Sequence, residues 1–142
     1  MRVVIDTNIW ISGLLWRGLP WELLRRAEAA QIELCLTPSM LAELASTLDY
    51  EKLQPRLTQL GLTHADLMAY VMSLALVFET AEGETIVTAD PDDDVFLRCA
   101  VLAGAAWIVS GDHHLLDLGQ YSGITIFTIR EFLETGIRVI SP

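Results

Sequence analysis

The stretch MRVVIDTNIWIS, residues 1–12, begins the chain with a short β-branched run, an acidic residue and the start of a helical pattern. The run lacks alternation between apolar and polar residues, which is typical of a strand buried on both faces of a parallel sheet. Asp6 ends this run. Ligands in α/β folds bind outside the carboxyl ends of the strands. The first residues therefore predict a parallel α/β fold with Asp6 at the edge that carries sites.

The rest of the chain alternates segments with strand-like and helix-like patterns. We expect two helices between about residues 9 and 30, separated at Gly18 and Pro20, and a polar helical stretch that ends at Gly61. The other predicted helices cover residues 38–50, 95–104, 115–120 and 129–136. The segment 63–79 is expected to begin as a helix and to continue into a strand that residues 84–87 complete. The other predicted strands cover residues 32–37, 106–110 and 123–128. This order predicts one domain over residues 1–142, with three α/β/α layers around a mostly parallel sheet of four or five strands.

Composition and charge restrict the kind of protein this is. Hydrophobic residues make up 52% of the chain and charged residues 20%, which favours a compact globular fold. No apolar run is long enough to cross a bilayer and no signal peptide is recognisable, so we expect a cytoplasmic protein without membrane contact. Cys35 and Cys99 lie in apolar stretches and are expected to be reduced core residues. The net charge of −10 means that nucleic acid binding would require a metal, a local basic patch or a basic partner.

Four carboxylates are predicted at the same edge of the sheet. Asp6 and Asp112 each follow a strand, Asp94 lies in the first turn of a predicted helix, and Glu43 lies in the helix after the second strand. These groups would repel one another unless a cation lies between them. Carboxylates with water are the ligands that Mg²⁺ and Mn²⁺ favour. The set therefore predicts a divalent metal site.

Each of these acids also has a structural interpretation. Asp6 and Asp112 are suited to cap the helices that follow them, and Glu43 alone would be an ordinary solvated helix residue. The neighbouring Asp90, Asp92 and Asp93 are expected to form a turn with Pro91 and to cap the next helix. The prediction of a joint site depends on all four acids falling at one edge.

The motifs VVIDTNIWIS (3–12), TPSMLAEL (37–44) and DDDVFLRCAVLAGAAWIVSGD (92–112), with the closing strand and helix, resemble the PIN domain family. The resemblance covers the whole chain and is strongest to the PIN toxins of prokaryotic toxin-antitoxin pairs, the VapC-like proteins. It implies a metal-dependent endoribonuclease that hydrolyses RNA phosphodiester bonds, with a cognate antitoxin protein as partner.

The resemblance also implies roles for individual residues. The catalytic and metal-binding set would be Asp6, Glu43, Asp94 and Asp112, holding Mg²⁺ or Mn²⁺. Asn8, Ser110 and Asp93 would support these acids, and Asp93 stays open as an alternative ligand to Asp94. Arg17, Arg25 and Arg26 are candidates for RNA binding. Three tryptophans, Trp10, Trp16 and Trp21, suggest a groove for a second copy, giving a homodimer, or for an inhibitory partner helix.

Other functions fit the residues less well. A phosphatase or receiver that uses a phosphorylated aspartate needs a lysine near its site, whereas Lys52 is the only lysine and lies in a polar helical stretch. A calcium loop starting at Asp90 would need a glycine at Val95 and a glutamate at Val101. The remaining alternative is a catalytically inactive PIN-fold module that binds RNA or protein.

Overall fold

The fold is α/β and its central sheet is mostly parallel, as the sequence predicts. The structure, a computed structural model, describes residues 1–79 and 91–136, with the backbone alone at 91–94 and 136. The strands in these ranges are β1 (Arg2–Ile5), β2 (Glu33–Leu36), β3 (Ala75–Val77), β4 (Trp107–Val109), β5 (Gln120–Tyr121) and β6 (Ile124–Phe127). They form one sheet in the order β3-β2-β1-β4-β6-β5, in which only β5 runs antiparallel to its neighbour.

Helices connect these strands close to the predicted positions. They are α1 (Thr7–Leu15), α2 (Leu19–Glu28), α3 (Pro38–Leu48), α4 (Gln54–Leu60), α5 (His64–Leu74), α6 (Pro91–Ala103), α7 (His113–Leu118) and α8 (Ile129–Glu131). A 3₁₀ turn (Glu51–Leu53) precedes α4 and a π-helical turn (Phe132–Gly136) follows α8. Gly61 ends α4 in the left-handed conformation, with φ of 68°, and Thr63 with Asp66 forms a capping box at the start of α5.

The strand order reverses direction between β1 and β4. From β1 the chain proceeds outward to β2 and β3, then returns to place β4 and β6 on the other side of β1. Right-handed crossovers then require that α6 lies on the face opposite the helices that join the first three strands. Accordingly, α6 contacts β1, β2 and β4, while α1 contacts α2 and α3. A crevice at such a reversal point is where open α/β sheets bind ligands.

Three sequence predictions need correction or lie outside the described residues. The sheet has six strands in the described ranges rather than four or five, because the two-residue β5 forms a tight hairpin with β6. Helix α6 begins at Pro91 rather than near Val95, so Asp92 and Asp93 belong to its first turn. Proline at the first helical position and acids near the positive end of the helix dipole both favour this earlier start. The predicted strand at 84–87 and Asp90 lie outside the described residues.

Burial confirms the expectation for the two cysteines. Cys35 and Cys99 are free, buried thiols, and burial raises their pKa to about 11 and about 12 respectively. Both are therefore protonated, unreactive core residues near neutral pH. Within the described ranges, every helix is too short or too polar to cross a membrane.

Helices α1 and α2 pack so closely at Gly13 that a side chain cannot be added there. A Cβ on Gly13 would lie 2.7 Å from Leu24 Cδ1 and 2.9 Å from the carbonyl oxygen of Pro20. We expect Gly13→Ala to lower the free energy of unfolding by about 1–3 kcal/mol, because the Pro20 backbone has to move. Urea denaturation measures this change.

Gly111→Ala is the matched control for that substitution, since a Cβ at Gly111 meets no atom within 4 Å. Its free energy of unfolding should stay within about 1 kcal/mol of the wild-type value. Equal stability of the Gly13→Ala protein and the wild type would show that the two helices are free to separate.

Candidate active site

A cleft of about 670 Å³ opens at the point where the strand order reverses. Its walls come from the start of α1, the middle of α3, the start of α6 and the loop between β4 and α7. Three of the four predicted acids, Asp6, Glu43 and Asp112, line this cleft together with Asn8. The carboxylates thus converge from three separate segments of the chain.

Asp6 is buried and held by three hydrogen bonds. Its Oδ1 accepts from the Ile9 N–H at 2.8 Å, which caps α1, and only 7% of the residue is exposed. Its Oδ2 accepts from the Ser110 hydroxyl at 2.7 Å and from the Gly111 N–H at 3.1 Å. The capping role and a place in the cleft therefore coexist, and the carboxylate has one fixed orientation.

Ser110 links Asp6 to the segment that carries Asp112. The residue is fully buried, and its hydroxyl oxygen accepts from the Asp112 N–H at 3.0 Å while donating to Asp6. A single hydroxyl therefore fixes both the Asp6 carboxylate and the backbone of Asp112. This contact explains why a serine two residues before the aspartate suits the end of β4.

Asp112 and Glu43 are the exposed acids of the cleft. Asp112 caps α7 through Oδ1, which accepts from the His114 N–H at 2.8 Å, so its Oδ2 remains available to a ligand as far as the described residues are concerned. Glu43 projects from α3, and its backbone carbonyl accepts from the Thr47 hydroxyl at 2.9 Å. Both side chains are therefore placed to meet a ligand that enters from solvent.

The side chains of Asp93 and Asp94 lie outside the described residues. Their backbone belongs to the start of α6, and Phe96 on that helix lines the cleft. The start of α6 thus borders the same cavity as the other acids. The choice between Asp93 and Asp94 stays a prediction.

The described residues match the chemistry of a hard divalent cation but do not form a complete ligand set. A carboxylate has about four acceptor positions, and three of those on Asp6 are occupied by protein donors. Among the side chains that the structure describes, no three His, Cys, Asp or Glu residues are close enough to hold one ion. A metal at this edge would therefore use one position on Asp6, the free oxygen of Asp112, and further ligands from the start of α6 or from water.

The three predicted RNA-binding arginines do not line the cleft. Arg25 forms an ion pair with Glu28 at 2.7 Å and donates to the Tyr70 hydroxyl at 2.8 Å. Arg17 and Arg25 both stack over Trp21, at 4.8 Å from the ring centre. Arg26 contacts Gln31 at 3.4 Å. The role of these three arginines in RNA binding stays a prediction.

Several residues of the cleft were not singled out in the sequence. Ser12 and Thr47 follow Asn8 and Glu43 by one helical turn, so helical periodicity identifies them once the first pair is known. His113 and His114, at the start of α7, also line the cleft. Tyr50 and Phe96 carry no signal in the sequence that distinguishes them from core aromatics.

The three tryptophans have different environments. Trp10 is a core residue with 1% exposure, whereas Trp16 is 44% exposed and Trp21 is half-buried. Trp10 is therefore excluded from any groove on the surface.

Comparison with known proteins identifies the family of this chain. No curated protein matches the sequence. A family model described as PIN domain matches residues 2–114, which include Asp6, Glu43, Asp94 and Asp112. This match covers most of the chain and contains the strands that form the cleft. The chain belongs to the PIN domain family.

Proposed function

We propose that the protein is an endoribonuclease that hydrolyses RNA phosphodiester bonds with Mg²⁺ or Mn²⁺. PIN domains are generally nucleases and typically use divalent metals. The observation that carries the proposal is the convergence of Asp6, Glu43 and Asp112 on one cleft, with Asp6 fixed by three donors. An acidic cleft repels a phosphodiester, so the reaction should depend strictly on a cation.

The positions of the residues in the cleft suit a hydrolysis reaction. Ser110 and Gly111 hold the Asp6 carboxylate in one orientation, so no reorganisation is needed when a ligand binds. Asp112 offers an oxygen beside it, and Glu43 faces the same space from α3. A divalent cation held there would lower the pKa of a water and neutralise charge on the phosphate. Water is then added across the P–O bond without a covalent enzyme adduct.

A toxin role in a type II toxin-antitoxin pair is part of the proposal. It rests on the resemblance of the acidic motifs to VapC-like toxins, which implies a cognate antitoxin protein, a cytoplasmic location and a homodimer. Co-expression with the product of the adjacent gene tests this role. Copurification of a small protein that suppresses RNA cleavage is the expected result, and an unaffected activity contradicts the role as a toxin.

The competing proposal is a PIN domain that binds RNA or protein without cutting. It is favoured by the lack of a three-ligand metal group among the described side chains. The phosphoaspartate alternative has less support, because Lys52 lies over the Tyr50 ring in the 3₁₀ turn and does not line the cleft.

Cleavage assays with the purified protein distinguish the two proposals. Structured and unstructured RNAs are incubated with Mg²⁺, Mn²⁺ or EDTA, beside an Asp112→Asn variant. We expect cleavage with either metal, none in EDTA and almost none with the variant, because asparagine removes the charge and keeps the Oδ1 that caps α7. Equal cleavage by the variant and the wild type would indicate a contaminating nuclease and contradict the proposed function.

A further inference from the structure

Two exposed aromatic rings lie in or near the cleft. Ser12 lines the cleft, and Trp16 follows it by four residues, with the Trp16 N–H donating to the Ser12 carbonyl at 3.0 Å. Trp16 is the C-cap residue of α1; its side chain is 44% exposed and is not itself part of the cleft lining. Tyr50 lines the cleft from the segment after α3 and is 50% exposed. Large rings exposed beside a polar cleft require an explanation other than core packing.

Each of these rings has a cation beside it. The Arg56 guanidinium lies 5.6 Å from the centre of the Trp16 ring, and the Lys52 ammonium lies 5.9 Å from that of Tyr50. Arg56 is held in place by hydrogen bonds to the Leu15 carbonyl at 2.7 Å and to Gln59 at 2.9 Å. We call Trp16, Tyr50, Lys52 and Arg56 the cation–aromatic track.

The charge of this track is not neutralised by neighbouring acids. Neither Lys52 nor Arg56 forms an ion pair within residues 1–79 and 91–136. In the other cation–aromatic cluster, around Trp21, Arg25 is paired with Glu28 at 2.7 Å, whereas Arg17 has no ion pair among the described residues. The track therefore places two cations that have no ion-pair partner in the described ranges beside an acidic cleft, in a chain whose net charge is −10.

We propose that the cation–aromatic track binds a single-stranded segment of RNA and leads it into the cleft. Bases would stack on Trp16 and Tyr50 while Lys52 and Arg56 contact the phosphates, a combination that proteins use for single strands. A duplex keeps its bases paired and stacked, so it cannot occupy these rings. Stacking accepts every base, so the track should bind with little sequence preference. That this strand is a substrate rests on the proposed function.

Binding measured without cleavage tests the track. Fluorescence anisotropy in EDTA gives the Kd for labelled oligouridine and oligoadenosine of about 10 nucleotides, within the usual range of site sizes, and for a hairpin duplex. We expect Trp16→Leu and Tyr50→Leu each to raise the single-strand Kd about ten-fold, the loss typical of one stacked base. Lys52→Gln and Arg56→Gln should each reduce the slope of log K against log salt by about 0.7.

Trp21→Leu is the matched control, because Trp21 also carries stacked arginines, but one of them is paired with Glu28, and Trp21 lacks the contact that joins Trp16 to the lining residue Ser12. Its Kd should stay within about two-fold of the wild type. Thermal unfolding verifies that every variant is folded, and the tyrosine and cation variants test the track even if Trp16→Leu is unstable.

The possible results distinguish a failure of the track from a failure of the proposed nuclease activity. An unchanged single-strand Kd in the Tyr50→Leu and cation variants overturns the track, as does tighter binding of the duplex. Loss of self-association in these variants, without any RNA binding by the wild type, would instead make the surface a protein interface. Single-strand binding that depends on the track, without any metal-dependent cleavage, supports the track and overturns the proposed nuclease.

Discussion

Asp6→Asn should reduce metal-dependent RNA cleavage by at least about 100-fold, which corresponds to a loss of about 3 kcal/mol of transition-state stabilisation. The substitution removes the negative charge of an acid that three hydrogen bonds hold in one orientation. It should also destabilise the protein. If the asparagine oxygen accepts from Ile9, its NH₂ group faces the Gly111 N–H, and two donors then meet. An unsatisfied buried donor costs about 1–3 kcal/mol in the free energy of unfolding.

Comparison with Asp112→Asn separates the two effects of Asp6→Asn. Asp112 is exposed, and asparagine keeps the Oδ1 that accepts from His114, so stability should change by less than about 0.5 kcal/mol. Cleavage should still fall strongly, since the charge beside the scissile phosphate is lost. Steady-state cleavage and urea denaturation of both variants give the two quantities. Full cleavage by a folded Asp6→Asn protein would exclude Asp6 from the reaction.

The general fold was predictable because its strongest signals are local. A short β-branched strand followed at once by Asp6 and a helical pattern indicates a parallel α/β fold, and Gly61 and Thr63 indicate helix ends by their chemistry. The hairpin strand β5 was not predictable, because Gln120–Tyr121 is only two residues long and is stabilised by pairing with β6. The start of α6 was placed too late, because a run of aspartates after Pro91 resembles a turn as closely as it resembles a helix start.

The site was predictable in part for a different reason. Residues that follow strands, such as Asp6 and Asp112, are brought together by any parallel sheet, so their sequence position was sufficient. The pairing of Ser110 with Asp6 depends on β1 and β4 being neighbours, which helical and strand periodicity do not reveal. Tyr50 lines the cleft, with Lys52 beside its ring, from the start of a 3₁₀ turn whose position depends on tertiary packing.

Asp94→Asn should reduce RNA cleavage about 100-fold, whereas Asp93→Asn should reduce it less than about three-fold. The expectation rests on the resemblance to PIN domains, which implies that the aspartate at the start of DVFLRCA, 18 residues before Asp112, is the metal ligand. The backbone of both aspartates belongs to the start of α6, beside the cleft that Phe96 lines.

The two variants are closely matched, because each removes one charge from the positive end of the same helix dipole. Each should lower stability by a similar amount, about 0.3–1 kcal/mol. A difference in cleavage at equal stability then identifies the carboxylate that acts in the site. The reverse result, with Asp93→Asn inactive and Asp94→Asn active, would make Asp93 the fourth acid of the site and contradict the choice of Asp94.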